Sequence, residues 1–243
     1  MSAGDLVGRS AIVTGGGSGI GRGVAAAFAA AGANVLICGR DRERLESACQ
    51  NSGRTVSYIV ADITLERDVD RLFAEAERIF SGRLDILVNN AGRSTTARTE
   101  DLSVQDFEGA IALNVTSAFR CALRAFRIMK AQGGGRIINI GSVSSRVPRG
   151  NSVPYTTSKF ALDGMTRALA LDGRSCGIAV SVLHPGNTES GIWSDQEKIR
   201  VAEGLMPADQ VARAALLMAS LPADINMLEA TMLPLKMPFL GRG

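Results

Sequence analysis

Tyr155 and Lys159 stand four residues apart, with Ser142 thirteen residues before the tyrosine. In a helix, residues at i and i+4 share a face, so a phenol and an ammonium would lie side by side. A phenol with an ordinary pKa near ~10 is a poor acid or base at neutral pH, and a nearby positive charge favours the phenolate and lowers that value. Tyr155 could then serve as general acid in reducing a carbonyl or as general base in oxidising an alcohol. Ser142 follows the apolar run Arg136 to Ile140, where a hydroxyl leaving a strand end could hydrogen-bond a substrate oxygen and polarise it. Taken singly, a surface Tyr, an unrelated Lys and a strand-end Ser would be bland.

Such chemistry needs a hydride carrier, and the glycine-rich segment near the N-terminus is suited to hold one. Ser10 to Thr14 runs into Gly15-Gly16-Gly17-Ser18-Gly19-Ile20-Gly21, and a run of small residues suited to a helix follows. Gly15 can turn tightly, the loop amides can approach a pyrophosphate, and the helix N-terminus adds N–H groups and partial positive charge. At the end of the second apolar run, where enzymes that choose NAD commonly place an acid against the ribose 2′-hydroxyl, Gly39 is followed by Arg40. A guanidinium can grip a 2′-phosphate, so NADP is expected over NAD, with Ser18 able to add a hydrogen bond. Asp41, one residue on, is a counterweight that could serve the ribose or cap the next helix.

Periodicity supplies the elements. Apolar runs at Ser10 to Thr14, Asn34 to Cys38, Val56 to Ala61, Leu84 to Asn89, Arg136 to Ile140, Ile178 to Leu183 and Ile225 to Leu233 read as strands. Helical patterns fill the intervals at Gly19 to Ala31, Asp41 to Gln50, Leu65 to Phe80, Val104 to Ala131, Tyr155 to Leu171 and Pro207 to Ser220. Alternating apolar strands and amphipathic helices predict a single-domain, doubly wound α/β chain, residues 1–243, with a parallel sheet of about seven strands covered on both faces. Its ligands belong beyond the carboxyl ends of the strands.

The 243 residues carry a formal charge of only +3, spread along the chain, which argues against a nucleic-acid partner. No apolar stretch reaches the ~20 residues of a membrane span, and Met1 to Ser10 lacks a signal pattern. Cys38, Cys49, Cys121 and Cys176 show no paired spacing and His184 is the single histidine, so no metal site is expected and the cysteines read as reduced thiols of a cytoplasmic protein. His184 itself reads as structural, with no visible partner.

The motif Thr14-Gly-x-x-x-Gly-x-Gly21, the Tyr155-x-x-x-Lys159 pair and Ser142 ahead of it together resemble the short-chain dehydrogenase/reductase family, across roughly residues 8 to 220. The resemblance implies an NADP-dependent enzyme acting on a small carbonyl or alcohol. It adds Asn114 as a fourth catalytic member, and cofactor contacts from Asp62 and Ile63, from Asn89, Ala91 and Gly92, and from Pro185, Gly186, Thr188 and Ser190. Relatives continue the Pro-Gly loop with an aliphatic residue and then Thr, positions held here by Thr188 and Ser190, so which of the two hydroxyls meets the nicotinamide stays open. Relatives also pair long helices by two-fold symmetry, so a homodimer or homotetramer is expected. Residues 189–206, with Trp193, are expected to close over the substrate. The alternative on the same fold is a non-catalytic sensor or scaffold that binds the dinucleotide, whose signature would be loss of Ser142, Tyr155 or Lys159.

Overall fold

The computed structural model describes residues 5–53, 55–189 and 203–239. Seven strands form one parallel sheet in the order β3-β2-β1-β4-β5-β6-β7. They are β1 Ser10–Thr14, β2 Asn34–Gly39, β3 Val56–Val60, β4 Ile86–Asn89, β5 Gly135–Ile140, β6 Ile178–Pro185 and β7 Glu229–Met232. The helices are α1 Gly19–Ala30, α2 Arg42–Ser52, α3 Glu66–Ile79, α4 Val104–Ile111, α5 Ser117–Ala131, α6 Val153–Gly173 and α7 Ala208–Ser220. Successive strand residues are buried on opposite faces. Val13 and Ile37 pack with Val24, Phe28 and Val211 on one side, while Ile12 and Leu36 pack with Leu72, Cys121 and Met129 on the other. That double burial is why the strands read as continuous apolar runs rather than as alternation.

Two sequence expectations need correction. The predicted helix Val104 to Ala131 is interrupted by a π-helical segment at Ala112–Thr116, centred on Asn114. The Asn114 side chain binds across to the Arg93 main chain instead of facing solvent, and a wider turn accommodates it. The predicted strand Ile225 to Leu233 is shortened to Glu229–Met232. Ahead of it, the Asn226 side chain accepts from Ser181 Oγ and donates to Val180 O, so a side chain takes the β6 carbonyl that a longer strand would have paired with main chain. Of the segment 189–206, residues 190–202, including Ser190 and Trp193, lie outside the described residues. Its ends are pinned together, with Thr188 bridged to Met206 and Glu189 N donating to Met206 O at 2.8 Å.

Strand order reverses between β1 and β4, opening a crevice at their carboxyl ends where neither crossover covers the sheet. A cavity of about 930 Å³ occupies that edge. A second cavity, of about 120 Å³ between Ala76, Leu84 and Ile128, collects none of the predicted site residues.

Candidate active site

The floor of the large cavity is the turn from β1 into α1, lined by Gly15, Gly17, Ser18, Gly19 and Ile20. Gly15 has φ +67°, and a Cβ there would come within 3.0 Å of Ala91 Cα and the Asn90 side chain. Gly21 does not line the cavity. A Cβ on it would lie 2.4 Å from Gly15 O, so its bare backbone is what lets the turn fold back on itself. Ser18 is the N-cap of α1 but makes no side-chain cap, which leaves the first-turn amides of the helix for an anion. A cradle of main chain at a helix N-terminus fits a pyrophosphate.

Next to the turn, Arg40 and Asp41 continue from the end of β2, and Arg44 reaches the same wall from α2. Asp41 caps α2 by accepting from Arg44 N and pairs with Arg44 Nε at 3.1 Å. Its carboxylate is therefore engaged, and the cationic character of this corner prevails. Arg44 was not foreseen, although Asp41-x-x-Arg44 is the spacing that puts a side chain beside its own cap. Asp62 and Ile63 line the adjoining wall. The Asp62 carboxylate accepts from Thr64 N and Oγ1, and Leu65 is the N-cap of α3, so Asp62 shapes the loop and does not cap the helix directly.

Asn89 does not reach the cavity. It is buried, with Nδ2 donating to Ala118 O and Asn139 Oδ1, and it ties β4 to α5 and β5. Its neighbour Asn90 takes the lining position and bonds Thr14 O at 2.9 Å and Gly15 O at 3.2 Å, locking the glycine turn. Side chains alternate along a strand, so a shift of one residue moves an amide from the core to the site. Ala91 and Gly92 line the cavity as expected.

The reactive end is assembled from β5, α6 and the loop after β6. Ser142 leaves β5 in extended conformation, and its Oγ accepts from Ser144 N at 3.1 Å. Tyr155 and Lys159 share one face of α6, with the ammonium 5.6 Å from the phenol ring centroid. Pro154 in the first turn of that helix starts it before the tyrosine. Lys159 is buried and donates to Ile140 O at 2.8 Å, and burial pushes its pKa down to about 8. The expected lowering of the Tyr155 pKa by Lys159 is not found. Burial raises it above the usual tyrosine value, opposed by a hydrogen bond with Ser142 and the positive charge of Arg149. That burial leaves the phenol in its protonated, proton-donating form at neutral pH, with the Lys159 ammonium bound to the Ile140 carbonyl.

Asn114 holds both main-chain groups of Arg93 at 2.9 Å and donates to Ser158 Oγ at 2.9 Å. It thereby fixes the loop at Arg93, which lines the cavity although the Asn114 side chain does not. Pro185, Gly186 and Thr188 do line it, with Thr188 Oγ1 donating to Gly186 O at 3.0 Å. Arg149 and Asn187, not foreseen, close the same end, joined by a 2.5 Å hydrogen bond. No local pattern marks them, because they meet across 38 residues.

His184, expected to lack partners, has several. It is fully buried, with Nδ1 beside the Ser142 main chain and Nε2 3.4 Å from Asp163 Oδ1 and 3.7 Å from Glu229 Oε1. Asp163, His184 and Glu229 could together face a cation, yet the guanidiniums of Arg146 and Arg167 already balance both carboxylates.

Comparison with known proteins identifies the family. The chain is 37% identical to L-fucose dehydrogenase of Bos taurus over 77% of this chain and 69% of that protein. It is 34% identical to D-beta-hydroxybutyrate dehydrogenase of Cupriavidus necator over 87% of this chain and 83% of that protein. Among solved structures, 3-ketoacyl-(acyl-carrier-protein) reductase from Brucella melitensis, complexed with NADH, superposes with a TM-score of 0.88 at 29% identity, covering 96% of this chain and 99% of that one. The short chain dehydrogenase family model matches residues 9–200. From the glycine turn to the loop after β6, the chain belongs to the short-chain dehydrogenase/reductase family, whose fold binds a nicotinamide dinucleotide and whose members carry out oxidoreduction.

Proposed function

We propose that the chain is an NADP-preferring oxidoreductase that interconverts a small carbonyl compound and its alcohol, with Tyr155 moving the proton. The observation that carries the reading is that Ser142, Tyr155 and Lys159 line the same cavity as the glycine turn. When bound, the nicotinamide supplies or accepts the hydride. Tyr155 gives its phenolic proton to the carbonyl oxygen as the alcohol forms and takes it back in oxidation. Ser142 holds that oxygen by hydrogen bond, and the Lys159 ammonium offsets the charge left on the phenolate. Asn114 is a positioning residue for the loop at Arg93. Asp62, Ile63, Ala91, Gly92, Pro185, Gly186 and Thr188 are the proposed dinucleotide contacts, with Gly15, Gly19 and Ile20 at the pyrophosphate and Arg40, Arg44 and Ser18 at the 2′-phosphate.

A panel of ketones, hydroxy acids, steroids and sugars, followed by the absorbance of reduced cofactor with NADPH and NADH in parallel, tests this. Turnover lost on Tyr155→Phe supports it. Dinucleotide binding with no turnover on any compound would favour the sensor or scaffold. We also propose a homodimer or homotetramer. Phe107, Phe119 and Phe160 on α4, α5 and α6 are large exposed apolar side chains that a second copy would cover. A monomer in sedimentation at micromolar concentration would end that proposal. No helix among the described residues is long and apolar enough to cross a membrane. The four free cysteines suit a reducing compartment, and we place the protein in the cytoplasm.

A further inference from the structure

The α6 stripe does not stop at Lys159. Asp163 and Arg167 follow at the same four-residue interval, and both belong to a charge cluster behind Ser142 in which Asp163 is buried and Arg167 is exposed. Arg146 leaves the turn that begins at Ser142 and forks onto Asp163 at 2.9 and 3.1 Å and onto Glu229 of β7 at 3.0 Å. Arg167 joins the same two carboxylates. His184 of β6 fills the space between this cluster and the active-site turn. Gly141 makes the approach possible, since a Cβ there would lie 2.5 Å from His184 Nδ1.

Three polar groups meet Nδ1, namely the Ser142 N–H, Ser142 O and Ser145 Oγ at 3.0 Å, whereas Nε2 makes no hydrogen bond among the described residues, so the charges around the ring bear on which nitrogen carries the proton. Ser142 O accepts from Ser145 N at 3.0 Å and Ser145 Oγ at 2.7 Å, which uses both its lone pairs. Ser142 N–H points at His184 Nδ1, 3.3 Å away. The 3.0 Å approach of Nδ1 to Ser142 O would suit the opposite tautomer. That tautomer would strand the Ser142 N–H and turn the bare lone pair of Nε2 onto two carboxylates, whereas a proton on Nε2 is attracted by both. Burial also disfavours the imidazolium, against the pull of Glu229 and Asp163.

We infer that His184 is a positioning residue for the reaction: the negative charges of Asp163 and Glu229 favour its Nε2–H tautomer, and its Nδ1 accepts from the Ser142 N–H and fixes that main chain so that the hydroxyl meets the substrate oxygen. The inference rests on the proposed role of Ser142 and deepens it, extending the active site by a layer that reaches the edge strand β7. Groups facing the imidazole are Asp163, Glu229, Arg146 and Arg167, and their charges balance in pairs, so a neutral ring completes the set.

Because the chain has one histidine, a long-range proton–nitrogen NMR spectrum of the labelled wild type reads this ring alone. The expected result is a protonated Nε2 and an unprotonated Nδ1, unchanged between about pH 6 and pH 8; a protonated Nδ1 overturns the inference, whatever the substrate proves to be. Kinetics give the second arm. His184→Leu should lower kcat at least ~10-fold with KM for NADP within about twofold, and His184→Asn, which restores an acceptor near Nδ1, should recover most of that loss. In a Ser142→Ala background the His184→Leu change should cost less than about twofold, since the residue acts through Ser142. Equal losses in both backgrounds, or a wild-type kcat for His184→Leu, also overturn it. Failure of the underlying reading looks different, since Tyr155→Phe would then stay active while the NMR tautomer stood.

Discussion

At the dinucleotide end, the cavity is floored by main chain from Gly15 to Ile20, and the charged side chains at its rim, Arg40, Asp41 and Arg44, are exposed. At the reactive end, Ser142, Lys159 and Thr188 are each nearly buried, and behind them His184, Asn114 and Asp163 are buried too. The first end recognises a ligand with backbone and long-range charge, and it tolerates change at the rim but not in the glycines. The second depends on polar groups that must each find a partner away from water, so its members act as a unit. Binding and chemistry should therefore respond to mutation separately.

The largest separation should come from Tyr155→Phe. Loss of the phenolic proton donor should lower kcat at least ~100-fold, with NADP affinity by fluorescence titration within a few-fold. Residual activity above about a tenth of wild type would remove the tyrosine from its role and erase the contrast between the two ends.

Lys159→Met should strike both ends, lowering kcat at least ~10-fold and weakening cofactor binding. It should also raise thermal stability at pH 7. The buried ammonium, with its pKa held down near 8, costs the fold up to about 3 kcal/mol below pH 8, offset in part by the bond to Ile140 O. That cost disappears as the pH rises towards the ordinary lysine value, so the stability gain of the variant should shrink between pH 8 and pH 10.5. Melting curves at pH 7 and 10 check this, and a variant less stable than wild type at both would contradict it.

Arg40→Asp should act at the dinucleotide end alone. Wild type should prefer NADP over NAD in kcat/KM by about tenfold or more, and the variant should reverse most of that preference, each factor of ten being ~1.4 kcal/mol. Equal use of both cofactors by the wild type would refute the assignment and leave Tyr155 untouched.

The smallest effect is the pH dependence of the reactive end. Burial holds Tyr155 protonated at neutral pH, so reduction should be nearly level from pH 6 to 8, while alcohol oxidation, which needs the phenolate, should rise several-fold from pH 7 to 9. The rise should flatten above about pH 8 as Lys159 loses its charge. Profiles in both directions measure it, and a level oxidation profile would assign the base to another group.

What the amino-acid sequence determined by itself is whatever depends on neighbours in the chain. The alternation of apolar strands and amphipathic helices specified the doubly wound sheet, Gly15 to Gly21 specified the turn into α1, and the four-residue spacing of Tyr155 and Lys159 specified a shared face. Each rests on a local period or on a backbone freedom that only glycine has. Tertiary structure decided the rest. It placed Asn90 rather than Asn89 on the cavity wall, widened the helix at Asn114, and turned the Lys159 ammonium towards Ile140. It also brought Arg146 to Glu229 across 83 residues and His184 to Ser142 across 42. A buried polar atom takes its partner from whatever element packs against it, and that element is chosen by the order of the strands, which no local pattern records.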